Sequence, residues 1–358
     1  MPKVRVLVVE DSLTVRKSLC DLLATDPEVE VAGEAEDGKR AIELCEGLRP
    51  DVVTMDIMLP VMSGLAATEY IMAHCPTPIL VVSSSLNRGE LFKTYDTLAA
   101  GAVDVLEKPR GDETDGSWES RFLTTVKLVS RIRVITHPRA RLGVSRQPRR
   151  VSGRAVSEPA VTRPGLKVIA VGASTGGPAA IVEVLRTLSS DCALPVLLVL
   201  HINEPFGSAF ADWLDVQTSR RVAYARDGQL LASAAGQVVM APPGRHLVVR
   251  DGRAQLTLDP ERHSCRPSVD VLFESVAREY GPAAAACLLT GMGCDGAAGL
   301  LEIRKAGGFT IAQDEATSVV YGMPREAMLL GAAERVLPLD EIGPALALRV
   351  QPGNEVRK

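Results

Sequence analysis

Short apolar runs of strand length alternate with helical patterns along this chain, and this alternation constrains the fold more than any other feature. Strands that alternate with helices predict a parallel sheet covered by helices on both faces. The N-terminal half therefore predicts a doubly wound, flavodoxin-like sheet, whose ligands gather beyond the carboxyl ends of the strands. Its predicted strands are Val4–Val9, Val29–Ala32, Asp51–Met55, Ile79–Val82 and Val103–Leu106.

The C-terminal half repeats the pattern and predicts a second α/β domain, Rossmann-like and mostly parallel. Asp251-Gly252, between two apolar stretches, adds a predicted hairpin turn. After a first strand that begins near Leu166, the predicted strands are Pro195–Leu200, Val222–Ala225, Gln237–Ala241, Ala285–Leu289, Phe309–Ala312 and Arg335–Leu337.

A segment of different composition separates the halves. Residues 131–163 contain nine arginines and a single acid, Glu158, with several prolines and serines and without apolar periodicity. This composition is typical of a flexible linker. We therefore expect one domain over residues 1–125, a helix end and Arg/Pro/Ser-rich linker over 126–165, and a second domain over 166–350. A last helix of the first half is predicted over Trp118–Ile135.

Composition narrows the class of protein. The chain has 358 residues, which suits two domains, and a net charge of −4, which gives no general attraction to nucleic acid. Its seven cysteines are an odd number without C-x-x-C spacing, as expected of reduced thiols. No signal peptide and no apolar stretch near the ~18 residues of a membrane span are evident. We expect a cytoplasmic protein without membrane insertion.

Charged and hydroxyl side chains follow the predicted strands of the first half. Glu10 and Asp11 follow the first strand, Asp56 the third, Ser83 the fourth and Lys108 the fifth. Carboxylates that converge at one edge repel each other unless a cation lies among them, and an all-oxygen cluster suits Mg²⁺. Lys108 could then pair with an incoming phosphate.

In the second half, Leu166–Pro178 reads as strand, tight turn and helix. Its Gly172-Ala173-Ser174-Thr175-Gly176 fits the G-x-S-x-G outline of a nucleophile elbow, which makes Ser174 a candidate nucleophile. A glycine-rich turn whose amides bind a phosphate at a helix N-terminus is the alternative. Spacing alone leaves both interpretations open.

Two further strand ends carry groups that could act with this serine. His201 ends the next predicted strand, and Asp295 lies in a glycine-rich turn after a later one. Histidine can take a serine proton while a carboxylate fixes its tautomer. The order Ser, His, Asp differs from that of α/β-hydrolases, which disfavours that fold. Taken alone, His201 could be a core histidine and Asp295 a helix cap.

Other histidines and acids remain candidates for the same roles: His246, His263, Asp227, Asp270 and Asp314. A metal site on His263 and Cys265 is disfavoured, because no second pair at ligand spacing accompanies it.

The strand-end residues of the first half, with Met55-Asp56-Ile57-Met58-Leu59-Pro60, Gly64 and Lys108-Pro109, resemble the response-regulator receiver domain. The resemblance implies phosphorylation of Asp56 by a histidine kinase. It also implies Mg²⁺ held by Glu10, Asp11 and Asp56, with Ser83 and Lys108 contacting the phosphoryl group. The chain departs from the pattern at Val105, where the family often has an aromatic residue.

The second half resembles the chemotaxis protein-glutamate methylesterase family, CheB. The resemblance rests on five motifs: Gly172–Pro178, Ala241–His246, Arg266–Asp270, Leu289–Gly296 and Ala312–Thr317 followed by Tyr321-Gly322-Met323-Pro324. It implies Ser174 as nucleophile, His201 as general base and Asp295 as the acid that orients it. Thr175 and the Met292 amide are the implied oxyanion contributors. Asn203-Glu204 and Cys294 depart from the family pattern beside these residues.

Together the resemblances imply a phosphorylation-activated protein-glutamate methylesterase that also deamidates glutamine. Its partners would be the cytoplasmic helices of chemoreceptors and a histidine kinase of the CheA type. Hydrolysis would require no cofactor, and nucleic acid is not an expected partner. Two alternatives remain: a receiver-controlled serine esterase of a pathway other than chemotaxis, and a catalytically silent binding module under receiver control.

Overall fold

The structure is a computed structural model that describes residues 2–84, 87–109, 116–132, 134, 165–189, 192–202 and 205–350. Most of the predicted linker, 126–165, lies outside these residues. The described residues form two α/β units, each built on a parallel sheet. The predicted fold class, two doubly wound and mostly parallel domains, is confirmed. Within the described residues, no helix has the length and apolar character needed to cross a bilayer.

The N-terminal unit is a five-stranded parallel sheet in the order β2-β1-β3-β4-β5. Five helices alternate with the strands along the chain, as the sequence predicts. The strands are β1 (Val4–Val9), β2 (Val29–Ala35), β3 (Val52–Met55), β4 (Ile79–Ser83) and β5 (Asp104–Glu107), and the helices are α1 (Leu13–Ala24), α2 (Gly38–Leu48), α3 (Gly64–His74), α4 (Arg88–Ala99) and α5 (Ser117–Val129).

The sheet of this unit is buried on both faces, which explains its nearly continuous apolar strands. One face packs against α2 and α3 around Met55 and Ile71, and the other packs against α1 and α5 around Leu23 and Phe122. The carboxyl ends of β1 and β3 are neighbours in the sheet. Side chains that follow these two strands are therefore brought together.

The C-terminal unit has a seven-stranded parallel sheet in the order β15-β14-β13-β6-β7-β10-β8. Its strands are β6 (Val168–Ala173), β7 (Val196–Leu200), β8 (Val222–Tyr224), β10 (Val238–Met240), β13 (Ala284–Leu288), β14 (Phe309–Gln313) and β15 (Arg335–Leu337). Its helices are α6 (Gly177–Thr187), α7 (Phe210–Gln217), α8 (Val269–Tyr280), α9 (Ala297–Lys305), α10 (Met323–Leu329) and α11 (Leu339–Val350).

The position of β6 in this sheet determines where a site can form. Gly172 of β6 pairs with Leu288 of β13 on one side and with Val199 of β7 on the other. The chain runs from β6 to β7 in one direction and returns to β13 on the opposite side, which makes β6 a topological switch point. Loops after these three strands meet at one edge.

A small antiparallel sheet, β11-β12-β9, flanks the large one. It consists of β9 (Gln229–Leu230), β11 (His246–Arg250) and β12 (Arg253–Thr257). Asp251 and Gly252 both have positive φ, 52° and 67°, in the predicted hairpin turn between β11 and β12. Two positive φ values suit the twist of a two-residue hairpin loop.

Two predicted element ends are wrong. The strand predicted over Val29–Ala32 continues to Ala35 as β2. The helix predicted over Trp118–Ile135 ends at Val129, where the last turn tightens: Arg131 and Ile132 donate to carbonyl groups three residues earlier. Ile132 and Val134 both pack against the core of the N-terminal unit.

The two units pack together through α4. Leu91, Tyr95 and Ala99 of this helix belong to the same apolar core as α6 and α7 of the C-terminal unit. The Tyr95 ring is fully buried and lies edge-on to Phe210, with 5.2 Å between the ring centroids. One face of the N-terminal unit is therefore buried against the C-terminal unit.

Candidate active site

The chain turns sharply after β6. The Ser174 amide donates to the Thr290 carbonyl at 3.0 Å, and the Gly177 amide donates to the Ser174 carbonyl at 2.7 Å. Gly176 has a φ of 76°, and a Cβ there would lie 2.5 Å from Cβ of Val319. Only glycine meets both conditions without strain. The turn leaves Ser174 half-buried above the end of the sheet.

His201 and Asp295 meet above the neighbouring strand ends. Nε2 of His201 lies 2.8 Å from Oδ2 of Asp295. The carboxylate accepts from Nε2–H, which leaves the lone pair on Nδ1 in the neutral ring. Burial opposes a charge on the ring, but the hydrogen bonds to Asp295 and Cys265 outweigh it and raise the pKa of His201 to about 9. The pair therefore stabilises the imidazolium that proton transfer would form.

The Asp295 carboxylate lies at the N-terminus of α8. It accepts hydrogen bonds from the Ser268 hydroxyl at 2.8 Å, the Val269 amide at 2.7 Å and the Asp270 amide at 3.0 Å. Burial alone would raise the pKa of Asp295, but His201 and these donors lower it below its usual range. The helix end thus keeps this buried group ionised.

Ser174 and His201 line the same cavity, which measures about 160 Å³. Within the described residues, the Ser174 hydroxyl makes no hydrogen bond, and Nδ1 of His201 instead lies 3.8 Å from Sγ of Cys265. The structure thus brings all three predicted groups to one edge, but only the histidine and the aspartate are hydrogen-bonded to each other. Catalytic hydrogen bonds are often long or misaligned before substrate binds.

The two predicted oxyanion contributors are close to the serine. Thr175 lines the cavity. Met292 follows Gly291, where an added Cβ would lie 2.7 Å from Cβ of Ser174. In the part of the chain that the structure describes, the amides of Thr175 and Met292 donate no hydrogen bond, so both remain able to bind an oxyanion.

The other candidates have structural partners. His246 is fully buried; its Nδ1 accepts from the Ser268 amide, and its Nε2 faces the Pro260 carbonyl at 3.2 Å. Asp227 accepts from the Leu256 amide, and Asp314 accepts from Thr317. The hydrogen bonds of these three side chains are therefore made within nearby loops and strands rather than with Ser174 or His201.

His263 and Asp270 form a second pair beside the first, with 3.1 Å between Nε2 and Oδ2. Nδ1 of His263 lies 3.5 Å from Sγ of Cys294, which is exposed. Asp270 also accepts from the Gly299 amide, which ties it to the start of α9.

The sequence departs from the family pattern at Asn203, Glu204 and Cys294. Asn203 and Glu204 lie outside the described residues.

In the N-terminal unit, the predicted residues also meet at the strand ends. Nζ of Lys108 lies 2.8 Å from Oε2 of Glu10 and 2.9 Å from Oδ2 of Asp56. Glu10 and Asp56 are buried, whereas Asp11 is exposed. Ser83 is buried at the end of β4, and its carbonyl accepts from the Lys108 amide at 2.9 Å.

The acids of this cluster fit a divalent cation. Glu10, Asp11 and Asp56 offer oxygen atoms that lie within 4.8 Å of one another. Burial and the neighbouring Asp56 raise the pKa of Glu10, although Lys108 opposes them. An oxygen-only donor set with excess negative charge suits Mg²⁺.

Val105 on β5, where the chain departs from the receiver-domain pattern, lines the cavity that contains Ser174.

Sequence reasoning did not place Ser268 beside Asp295 or Cys265 beside His201, although both residues lie in stretches that it considered. Ser268 precedes the apolar pattern of α8, where a serine is a typical N-cap, and this signal could have identified it. Cys265 carries no such signal. Its contact with His201 joins residues 64 positions apart and depends on the tertiary fold.

Fold and site together define a two-part response regulator: a receiver-type unit with an acidic cluster, and a second α/β unit with a serine, a histidine and an aspartate at the ends of three neighbouring strands. Comparison with models of protein families supports this division into two units. A response regulator receiver domain matches residues 6–114, and CheB methylesterase matches residues 169–346. The chain belongs to the CheB methylesterase family.

Relatives match over nearly the whole chain. A protein-glutamate methylesterase/protein-glutamine glutaminase of Anaeromyxobacter dehalogenans is 43% identical over 343 residues, which cover 96% of each chain. One of Nitrosospira multiformis is 40% identical and covers 99% of each chain. Among solved structures, the Thermotoga maritima CheB methylesterase catalytic domain is 32% identical, covering 52% of this chain and 99% of its own, with a TM-score of 0.49.

Proposed function

We propose that this protein is a receiver-controlled methylesterase of the cytoplasm. It removes methyl groups from glutamyl esters of chemoreceptor helices, releases methanol and deamidates receptor glutamines, which contributes to adaptation in chemotaxis. The observation that carries the proposal is the His201–Asp295 hydrogen bond, together with the cavity that His201 and Ser174 both line. The names of the relatives support the substrate class.

In the proposed reaction, the Ser174 oxygen attacks the ester carbonyl and its proton moves to Nδ1 of His201. The Nε2–H group of His201 keeps its proton and continues to donate to the Asp295 carboxylate, which stabilises the imidazolium. The amides of Thr175 and Met292 bind the oxyanion; one such donor contributes about 3–4 kcal/mol in another serine hydrolase. His201 returns the proton to the leaving methoxide, and methanol departs. Water then repeats the sequence on the acyl-enzyme and releases the glutamate carboxylate. With glutamine, ammonia is the first product to leave.

The packing of the receiver unit supports control of this reaction. Leu98, Val103, Asp104 and Val105 of the receiver unit form one side of the cavity. A cavity of about 160 Å³ cannot admit a helix, whose diameter is about 10–12 Å. A receptor helix therefore reaches Ser174 only after the receiver unit moves away.

Phosphorylation of Asp56 by a CheA-type kinase would promote that movement. The residues that fit Mg²⁺ would hold it beside Asp56, where it would supply positive charge for the transferred phosphoryl group. Lys108 and Ser83 would contact that group. Lys108 lies only three residues after Val105, so a shift of the chain after β5 reaches the cavity directly.

The gating part of the proposal is tested by methanol release from methylated receptor with and without a small phosphodonor and Mg²⁺. The intact protein should respond to the phosphodonor, whereas Asp56→Asn should stay at the basal rate. Weaker docking by 1.4 kcal/mol raises a rare open population about tenfold. Equal responses of the two proteins would refute gating through Asp56.

The catalytic part is tested with Ser174→Ala, which should lose methanol release. Ser233→Ala is the matched control because it removes an exposed hydroxyl that, among the described residues, hydrogen-bonds to the Leu230 carbonyl alone. Full activity of Ser174→Ala would refute the assignment. A panel of other methylated proteins tests the alternative substrate, and a binding module would release methanol from none of them.

A further inference from the structure

A thiol lies at the imidazole nitrogen that the proposed reaction uses. Sγ of Cys265 is 3.8 Å from Nδ1 of His201, while Nε2 of the same ring is 2.8 Å from Asp295. His201 lines the cavity, and Cys265 is half-buried, so both groups are within reach of small solutes. The proposed reaction gives Cys265 no role.

The distances match those of a tetrahedral metal site. Zinc bonds of about 2.3 Å to sulfur and about 2.0–2.1 Å to nitrogen place two ligand atoms of one ion about 3.6 Å apart. Metal-binding histidines usually donate their second N–H to a carboxylate, and His201 already does so with Asp295. The ligand atoms of His201, Cys265 and Asp295 all lie within 4.8 Å of one another.

We propose that Cys265 and His201 bind Zn²⁺ and that the bound ion inhibits the esterase. The Cys265 thiol gives up its proton to solvent when sulfur coordinates the metal, and an imidazolium form of His201 likewise releases its Nδ1 proton to solvent, so that the freed lone pair on Nδ1 forms the second bond. With that lone pair occupied, His201 cannot take the Ser174 proton. Water molecules fill the remaining positions of the four-coordinate ion.

A second cysteine–histidine pair nearby provides a matched comparison. Sγ of Cys294 lies 3.5 Å from Nδ1 of His263, a similar separation. Within the described residues, Cys265 lies in a close group of three ligand atoms with His201 and Asp295, whereas His263 forms such a group with Asp270 and Asp295 and Cys294 belongs to none. Zinc bound at this second pair would leave Nδ1 of His201 free. We therefore expect substitutions of the two cysteines to affect zinc inhibition differently.

The test measures Zn²⁺ inhibition of methanol release by the full chain, and its reversal by a chelator. Cys265→Ser should raise the Zn²⁺ concentration for half-inhibition at least tenfold, and Cys265→Ala should do the same. Cys294→Ser should change it less than twofold. Unchanged inhibition of both Cys265 variants, or loss of inhibition in Cys294→Ser, would overturn the proposal.

Co²⁺ gives a second readout that is independent of activity. A thiolate bound to Co²⁺ produces charge-transfer absorption in the near ultraviolet, which should be present in the unaltered protein and in Cys294→Ser but lost in Cys265→Ser. Because the inhibition part rests on the proposed esterase function, this readout separates the two claims. If the cobalt signal depends on Cys265 but no substrate is hydrolysed, the proposed function fails and the metal site stands. A signal that survives Cys265→Ser would overturn the metal site.

Discussion

Asp295 shows how single residues build the site. This one carboxylate accepts four hydrogen bonds: one from His201 and three from the first residues of α8 and its N-cap. A buried charge is stable only when it is paired and hydrogen-bonded. Ser268 serves twice, because its hydroxyl donates to Asp295 and accepts from the Val271 amide.

Ser268→Ala should therefore lower kcat by about tenfold to a hundredfold, since a hydrogen bond to a charged group contributes about 1.5–3 kcal/mol. It should also cost about 1 kcal/mol of stability through loss of the N-cap. Ser268→Thr keeps the hydroxyl and should restore most of both. Kinetics on demethylation and thermal unfolding measure the two effects. Equal kcat in Ser268→Ala and the unaltered protein would contradict this role.

At the scale of elements, the turn between β6 and α6 determines where the nucleophile lies. Gly176 combines a positive φ with contact against Val319, so a side chain there meets strain and a steric clash together. Gly236 has a similar φ of 71°, but an added Cβ would meet no atom within 4 Å. Comparing alanine substitutions at these two positions therefore separates the cost of backbone strain from the cost of the steric clash.

Gly176→Ala should cost about 1–2 kcal/mol for the left-handed backbone and about 1–3 kcal/mol more for the clash, and should reduce activity because Ser174 shifts. Gly236→Ala should show the first cost alone and keep its activity. Denaturant unfolding and methanol release measure both variants. If the two lose the same stability and retain the same activity, the clash with Val319 is not significant.

Much of the architecture could be predicted from local pattern, because strand and helix periodicity is encoded in neighbouring residues. The sequence located the strands and placed Ser174, His201 and Asp295 at their ends. It did not predict that Nδ1 of His201 faces Cys265, nor that α4 docks against α6 and α7. Such contacts depend on the packing of distant segments, which no local pattern specifies. The end of α5 was misplaced because Ile132 and Val134 continue the apolar composition without the helical contacts.

At the scale of the whole molecule, polar contacts add to the apolar packing between the units. Nε1 of Trp213 donates to Oδ1 of Asp96 at 2.8 Å, and Nε2 of Gln217 lies 3.4 Å from the same oxygen. Arg88 and Asp212 also form an ion pair across the interface, at 2.9 Å, but their side chains are 68% and 56% exposed. Exposed ion pairs contribute little.

Asp96→Ala should weaken docking because it leaves the Trp213 N–H without its acceptor. A loss of about 1–1.5 kcal/mol would raise basal methanol release roughly tenfold and reduce the further gain from a phosphodonor. Arg88→Ala is the control and should change the basal rate less than twofold. Identical basal rates in the unaltered protein and Asp96→Ala would show that the Trp213–Asp96 hydrogen bond does not stabilise docking of the receiver unit.

Docking should also depend on pH through Asp104, which lines the cavity between the units. Burial raises the pKa of Asp104 from 3.8 to about 6, although the Val105 amide opposes the rise. A raised pKa means that the docked state favours the protonated acid. Its contribution to docking is therefore complete below the free-state pKa and is lost as the pH rises through about 6.

Asp104→Asn should remove this dependence. The ratio of its basal methanol release to that of the unaltered protein should be near one below about pH 4, should fall as the pH rises from about 4 to about 6, and should stay well below one up to about pH 8, because the amide cannot ionise. Taking the ratio at each pH cancels the pH dependence of catalysis itself. A ratio that stays constant over this range would show that Asp104 does not affect docking.

The central claim is that His201 makes Ser174 reactive and that the receiver unit covers it. The most direct measurement is labelling by a fluorophosphonate, with the modified residue identified by peptide mass spectrometry, with and without a phosphodonor. We predict a label on Ser174 that forms faster with the phosphodonor and is lost in His201→Ala. A label on another residue, or none under either condition, would contradict the account.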